Sequence, residues 1–435
     1  MKRSPRDRRR PRTDPAAGAA APQAPPVARL GADDDDARWR SAGLALLAAY
    51  SLVATIVVLF QHATPTYGAE GDLIGVYLPA AQALRAGHLA PEHYLFHGIG
   101  YPAMLAALGA VLNGDDWLGA RVLNVAAAVT AAWLTFELAR GLWSSRTGVF
   151  AVLALITTPV FLRATVEAGT DMPALAWSLG ATVLICRAGG PAAMAASGFL
   201  AGVAIITRYN AVFLPLAGAA TLLARPATRS RLVPYLGGLA VPVVTWFAIN
   251  QRLSGAAWSN QNYANIAYEF FGRSVPWERF WLETSGQFHS FREIVAYDPR
   301  RFITHLGANL ATRWWRDARE LMSPWSGWLA VPGLVLMLRG RPGARAVALH
   351  AALAYGVLAF AFYSPRFIST CCRSICAGRW RWSSRPAGRR APASPARAPA
   401  TRRRVPIPGP SRSGAWRSWP RWRWCRRSGR SATRA

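Results

Sequence analysis

Between residues 41 and 364 the chain returns repeatedly to apolar runs of membrane-helix length, more than a single soluble core could use. The first run, Ser41 to Phe60, would make roughly 30 Å of helix, which matches one bilayer core. It is too long and too deep in the chain for an ordinary signal peptide, and no small-residue cleavage site follows, so it reads as an uncleaved first span. Further runs occupy Leu118–Leu138, Thr147–Leu162, Met172–Cys186, Ala192–Ile206, Ala211–Leu223, Leu232–Ile249, Trp325–Leu338 and Ala344–Tyr363. Several fall short of about eighteen residues, so their ends reach into polar flanks or snorkelling Arg. Only 17% of residues are charged, against about 25% in an average soluble chain. The expectation is an all-α, polytopic transmembrane helical bundle of nine spans in the plasma or inner membrane.

Charge orients the bundle. The formal net charge of +30 belongs mostly to the two ends of the chain. Residues 1–40 hold ten basic and six acidic residues, and residues 367–435 hold eighteen Arg and no acid. Between the spans, Arg concentrates in the short connections Arg140–Arg146, Arg187–Pro191, Arg225–Arg231 and Arg339–Arg345. A further apolar stretch, Ile99–Leu112, is short enough to lie at the surface. With the basic N-terminus in the cytoplasm and Ile99–Leu112 not spanning, all four Arg connections fall inside, as the positive-inside rule asks. Counting it as a span puts all four outside. The external segments are then 61–117, the turn Arg163–Asp171 and the loop 250–324, whose Trp277, Trp281, Trp314, Trp315 and Trp325 suit an interfacial aromatic belt.

The first external loop is the most informative. Leu78, Ala81, Gln82 and Arg85 share a helical face, and Gly87 is placed to end that helix. Pro79 is tolerated only in a first turn, so the helix is expected to start near Tyr77 and leave Asp72 in the approach loop. A carboxylate there can serve as general base toward a hydroxyl or amine, or simply organise the turn. Arg208 and Arg366 stand at expected outer ends of spans, with Arg121 close behind; each can meet a phosphate, or snorkel and pair structurally. Around Asn262, the run Asn260 to Tyr268 mixes amides and aromatics in a way that suits sugars as well as a solvated loop.

Asp72, Tyr77, the run to Gly87 and then His97-Gly98-Ile99-Gly100-Tyr101-Pro102 resemble the first external loop of GT-C glycosyltransferases. More narrowly, they resemble the branch holding protein O-mannosyltransferases and lipid A aminoarabinose transferases. Ala120-Arg121-Val122-Leu123-Asn124, Glu167-Ala168-Gly169-Thr170-Asp171-Met172-Pro173 and Thr207-Arg208-Tyr209 follow in the same order, so the resemblance covers roughly residues 40–366. It implies a membrane glycosyltransferase, hexosyl- or pentosyl-transferring, that moves a sugar with inversion from a dolichyl- or polyprenyl-phosphate donor to an extracytoplasmic acceptor. That acceptor is a protein hydroxyl, a lipid or a cell-envelope glycan.

By this resemblance Asp72 is the catalytic base, Asp171 a second catalytic carboxylate assisting acceptor or donor, and Glu70 a secondary candidate, because many relatives pair adjacent acids where Gly71 intervenes here. Asp171 could equally cap the helix beginning at Met172–Pro173. Arg208, Arg366 and Arg121 are donor-phosphate candidates, and Tyr77, His97 and Asn262 are substrate-binding candidates. No metal site is expected, since the Cys371, Cys372 and Cys376 cluster lacks partners and Cys186 sits in an apolar run. A divalent cation is left open as a cofactor. The reading from another class is a non-catalytic polytopic carrier or binding protein for polyprenyl-linked glycans. A transporter would show mid-membrane charges or paired broken repeats, and neither stands out.

The ends read separately. Residues 1–40, rich in Arg, Pro, Ala and Asp, are expected to be a disordered cytoplasmic segment. Residues 367–435 form a basic low-complexity tail whose Arg and Trp could suggest nucleic acid, but an odd number of spans places it outside, so no nucleic-acid partner is expected. Out-of-frame GC-rich codons yield this set of residues, and a frame slip near residue 368 is the expectation; apolar helices in another frame would test it.

Overall fold

The computed structural model describes residues 30–62, 69–94, 96–187, 189–257, 261–272, 274–320 and 330–361, all as helices and their connections. The tail 367–435, Arg366 and most of the N-terminal segment lie outside the described residues, so the expectations placed there are not addressed.

Helix α1 runs Leu30–Ile56 and continues as a π-helical turn, Val57–Gln61. It begins well before the expected boundary at 41, taking in Asp35 and Asp36. The reason lies across the bundle: Asp36 accepts hydrogen bonds from the Ser145 amide (2.9 Å) and hydroxyl (3.0 Å) at the start of another helix. A carboxylate at a helix N-terminus satisfies an orphan amide and meets the positive end of the dipole.

The loop after α1 folds as α2 (Ala69–Asp72), a π turn (Leu73–Tyr77), α3 (Leu78–Arg85) and α4 (Gly100–Val111). The helix that holds Pro79 in its first turn starts at Leu78, beside the expected Tyr77, but Asp72 does not lie in an approach loop. The helical path opens at Ala69 and carries Asp72 inside it, because the wider π turn before Pro79 absorbs the proline where a regular α-helix would have lost a hydrogen bond. The expected end holds: Gly87 has φ +77°, and the His88 amide donates back to the Ala83 carbonyl at 2.9 Å. At twelve residues, α4 is about 18 Å long, too short for a bilayer core.

Then come α5 (Asp116–Leu142), α6 (Ser145–Ile156), α7 (Pro159–Val166), α8 (Asp171–Cys186), α9 (Pro191–Thr207), α10 (Phe213–Leu223) and α11 (Leu232–Ser254). The long loop that follows adds α12 (Asn262–Ala267), α13 (Trp277–Glu283), α14 (Phe291–Tyr297) and α15 (Pro299–Glu320), before α16 (Ala330–Arg339) and α17 (Pro342–Ala361). The run Thr147–Leu162 is not one straight helix. It breaks at Thr157-Thr158, where Pro159 starts a new helix bent 69° from the last.

Among the described residues three helices are long and apolar enough to cross a membrane alone, Asp35–Gln61, Asp116–Leu142 and Pro226–Ser254, with the bent pair as a fourth. Shorter apolar helices stand beside them, including Gly100–Val111, Asp171–Cys186 and Pro191–Thr207. The last two reach roughly 25 Å at 1.5 Å per residue, a mismatch that Arg187 and Arg208 at their ends can bridge. The protein is an all-α polytopic membrane bundle.

Two kinds of contact hold it. In the first, α9 and α11 cross with backbones touching: a Cβ on Gly198 would meet the Tyr235 carbonyl, and one on Gly238 would meet the Ala195 carbonyl. Close approach through small residues replaces the hydrophobic drive that lipid cannot supply. Gly198→Val should therefore cost about 1–3 kcal/mol or more, read as a lower unfolding temperature of the detergent-purified protein; an unchanged temperature would mean the crossing is loose. In the second, ion pairs mark the two ends. Glu137 binds Arg140 and Arg187 at one end, and Arg85 pairs with the buried Asp116 at the other, tying α3 to α5.

Candidate functional site

The end of the bundle opposite Glu137 collects the polar residues that the sequence singled out. Its scaffold is the turn between α7 and α8. Asn124, fully buried on α5, donates through Nδ2 to the carbonyls of Ala164 (2.9 Å) and Thr165 (2.7 Å), which fixes the end of α7. The chain then passes Ala168 and Thr170, both buried, into α8.

Asp171 opens α8, yet it does not cap it: the cap position is Thr170, which makes no side-chain capping bond. Instead the exposed Asp171 carboxylate forms an ion pair with Arg208 at 2.9 Å. Arg208 follows the last residue of α9 in an extended conformation, and its Nη1 also donates to Thr170 Oγ1 at 2.8 Å. The turn between α7 and α8 and the end of α9 are thereby locked together.

Asp72 approaches the same pair from the first loop. It makes no side-chain hydrogen bond to another described residue, and it keeps an exposed edge although protein crowds it on most sides. Loss of water raises its carboxyl above the usual carboxylate range; Arg208 pulls it back down, and Asp171 pushes it up again. The two carboxylates and one guanidinium thus form a coupled set.

Tyr77 lies beneath them, 2% exposed, hydrogen-bonded to Thr170, its hydroxyl raised well above the usual phenol range chiefly by burial. Its ring meets His97 edge-on at 5.3 Å and Tyr101 at 5.1 Å. It supports the site from below and does not line the open recess. That recess, open to solvent and with room for little more than a water molecule, is bounded by Phe96, His97, Arg208, Tyr209, Asn210 and Asn262. Gly98 and Gly100 make it possible, because Cβ atoms there would strike Ile206 and Thr207 at the end of α9. Burial, and then Arg208, lower His97 to about 3, so its ring is neutral.

The remaining candidates sit elsewhere. Glu70 is fully buried: Oε1 takes a hydrogen bond from His62 Nε2 at 2.9 Å and one from the Ala168 amide at 3.3 Å. It joins the first loop to the second turn and has no face on the recess. Arg121 donates to the His62 carbonyl at 3.1 Å and lies over the Trp117 ring. Arg366 lies outside the described residues. Sequence reasoning passed over Thr170, Asn210 and His62. Asn210 was within reach, two residues after Arg208; His62 carried no signal beyond its place in a loop. Among the described residues no three of His, Cys, Asp and Glu converge to hold a metal ion, and no step below runs through one.

Fold and site together define a polytopic helical membrane protein with a carboxylate–guanidinium cluster at one end of its bundle. Residues 97–248 match the family model of dolichyl-phosphate-mannose-protein mannosyltransferases, which bears out over that stretch the resemblance read from the short motifs. Among solved structures the chain is similar to ArnT from Cupriavidus metallidurans bound to undecaprenyl phosphate. The two share 16% identity at a TM-score of 0.41, over 77% of this chain and 63% of that one. The chain thus spans just under two thirds of the length of that structure. No curated protein matches significantly.

Proposed function

We propose that the protein is a membrane glycosyltransferase that moves a sugar from a polyprenyl-phosphate donor to a hydroxyl- or amine-bearing acceptor on the extracytoplasmic side. The acceptor class is a protein or a glycolipid. The observation that carries this reading is the convergence of Asp72, Asp171 and Arg208, drawn from three separate segments, at one end of the bundle. The match of residues 97–248 to the mannosyltransferase family supports it.

In this reading Asp72 takes the proton of the acceptor as its oxygen or nitrogen attacks the anomeric carbon. The bond from that carbon to the phosphate oxygen breaks, the configuration inverts, and polyprenyl phosphate leaves with the electron pair. Arg208 stabilises the charge that builds on the departing phosphate, and the proton on Asp72 passes to water. Asp171 holds Arg208 in place and tunes Asp72. The raised carboxyl suits the work, since a base closer to the operating pH takes a proton more effectively.

The test is direct. Protein in proteoliposomes is given a radiolabelled polyprenyl-phosphate hexose or pentose and a membrane extract as acceptor source. Label should leave the polyprenyl-phosphate fraction and appear on an acceptor. Label that binds but never leaves the donor would instead favour the carrier reading.

A further inference from the structure

We infer that Glu70 is a positioning residue, which together with Tyr77 holds Asp72 against the Asp171–Arg208 pair through reach and hydrogen bonding rather than through charge. This rests on the proposed glycosyltransferase reading and adds a determinant of its rate.

Asp72 makes no side-chain hydrogen bond to another described residue, so its neighbours must fix it. They do so from both sides. Before it, the fully buried Glu70 accepts on Oε1 both the Ala168 amide at 3.3 Å and His62 Nε2 at 2.9 Å. After it, the buried Tyr77 is hydrogen-bonded to Thr170. Ala168 and Thr170 both belong to the turn that leads into Asp171. Asp72 is thus held between two ties to the segment that carries its partner carboxylate.

Helix geometry turns the first tie into aim. Glu70 and Asp72 share the single turn of α2, where side chains two residues apart point roughly 200° from one another. With Glu70 drawn inward, Asp72 is turned the other way, where it keeps an exposed edge and feels Arg208 and Asp171.

Charge on Glu70 plays no part in this. The influences on Asp72 among the described residues are loss of water, Arg208 and Asp171. The second oxygen of Glu70, Oε2, makes no hydrogen bond to another described residue. A Gln of the same shape can therefore keep its carbonyl on the Ala168 amide and His62. An Asp keeps the charge but is one methylene too short to reach them without dragging α2 along.

The experiment measures kcat, donor KM and the pH profile of kcat/KM in proteoliposomes, using a radiolabelled polyprenyl-phosphate hexose or pentose as donor. Glu70→Asp should lose about 10²-fold in kcat, the size of loss that a small misplacement of a reacting group produces, with donor KM unchanged. Its acid limb should also move to lower pH. The net influence on Asp72 is upward and led by loss of water, so an Asp72 released toward solvent falls back toward the ordinary carboxylate range. Glu70→Gln should recover the larger part of the lost rate and return the limb toward wild type.

Equal rates in the two variants, or the reverse order, overturn the inference; the reverse order would make Glu70 a charged participant. A fall in rate that tracks a lower unfolding temperature, with the limb unmoved, also overturns it and leaves Glu70 a residue of the fold alone. Each of these leaves the glycosyltransferase reading standing, whereas no transfer by the wild-type protein overturns both. If Glu70→Asp does not fold, Tyr77→Phe cuts the other tie while keeping the ring, and the same loss of kcat at constant donor KM is expected; an unchanged kcat overturns the inference.

Discussion

Asp72→Asn is expected to lower sugar transfer by about 10²–10⁴-fold, the usual contribution of a positioned general base, while membrane insertion and unfolding temperature stay at their wild-type values. The two halves of that outcome have separate causes. Asn keeps the shape of Asp but cannot take a proton, so the acceptor would have to attack unassisted. The fold has little to lose, because Asp72 makes no side-chain hydrogen bond to another described residue. Its carboxyl is raised by loss of water, so its charge is held at some cost compared with water. Replacing it by a neutral amide therefore removes a cost at neutral pH, and stability should hold or rise slightly. Transfer by Asp72→Asn at the wild-type rate would remove Asp72 from the chemistry. Lost transfer together with lost insertion would make it a structural residue instead.

That Asp72 and Asp171 lie near each other was legible before the structure, and the detail of their surroundings was not. Arg in four short connections, set against acids in the turns between, brought Asp72 and Asp171 to one face by charge alone. The ion pair of Asp171 with Arg208 is the three-dimensional form of that pattern. Glu70 shows where such reasoning stops. It lies two residues before Asp72 with the same chemistry, yet the helix that begins at Ala69 turns it fully inward onto His62 and the Ala168 amide. Pro79 marks the start of α3 correctly, but the helical approach to it through a π turn leaves no mark in local sequence. Likewise the break at Thr157-Thr158 sits inside an apolar run whose hydropathy is continuous, so only Pro159 hinted at it. Asn210 escaped notice for a different reason. A lone amide gains meaning only when folding places it across a gap from Phe96 and Asn262, which are far away in the chain.

Arg208→Ala should lower transfer by about 10²–10³-fold, as loss of a preorganised group at a developing charge typically does, and it should also move the pH profile in a direction that identifies its role. Asp72 works as a base only when deprotonated, so transfer falls as pH drops through its pKa. Burial raises that pKa, Arg208 lowers it and Asp171 raises it. Removing Arg208 leaves the two raising influences unopposed, so the acid limb of the kcat/KM profile should move to higher pH. Asp171→Asn removes one raising influence, and by itself that would move the same limb to lower pH. Arg208→Lys keeps the positive charge and should restore the limb toward wild type. It would recover only part of the rate, because a compact ammonium lacks the planar, delocalised guanidinium whose Nη1 meets both Thr170 and Asp171. A merely structural Arg208, holding the turn before α8 against the end of α9, would give another pattern: all substitutions would lower the unfolding temperature and the rate together, with the acid limb unmoved. Opposite shifts in Arg208→Ala and Asp171→Asn, measured in proteoliposomes over the same pH range, would tie both residues electrically to the base.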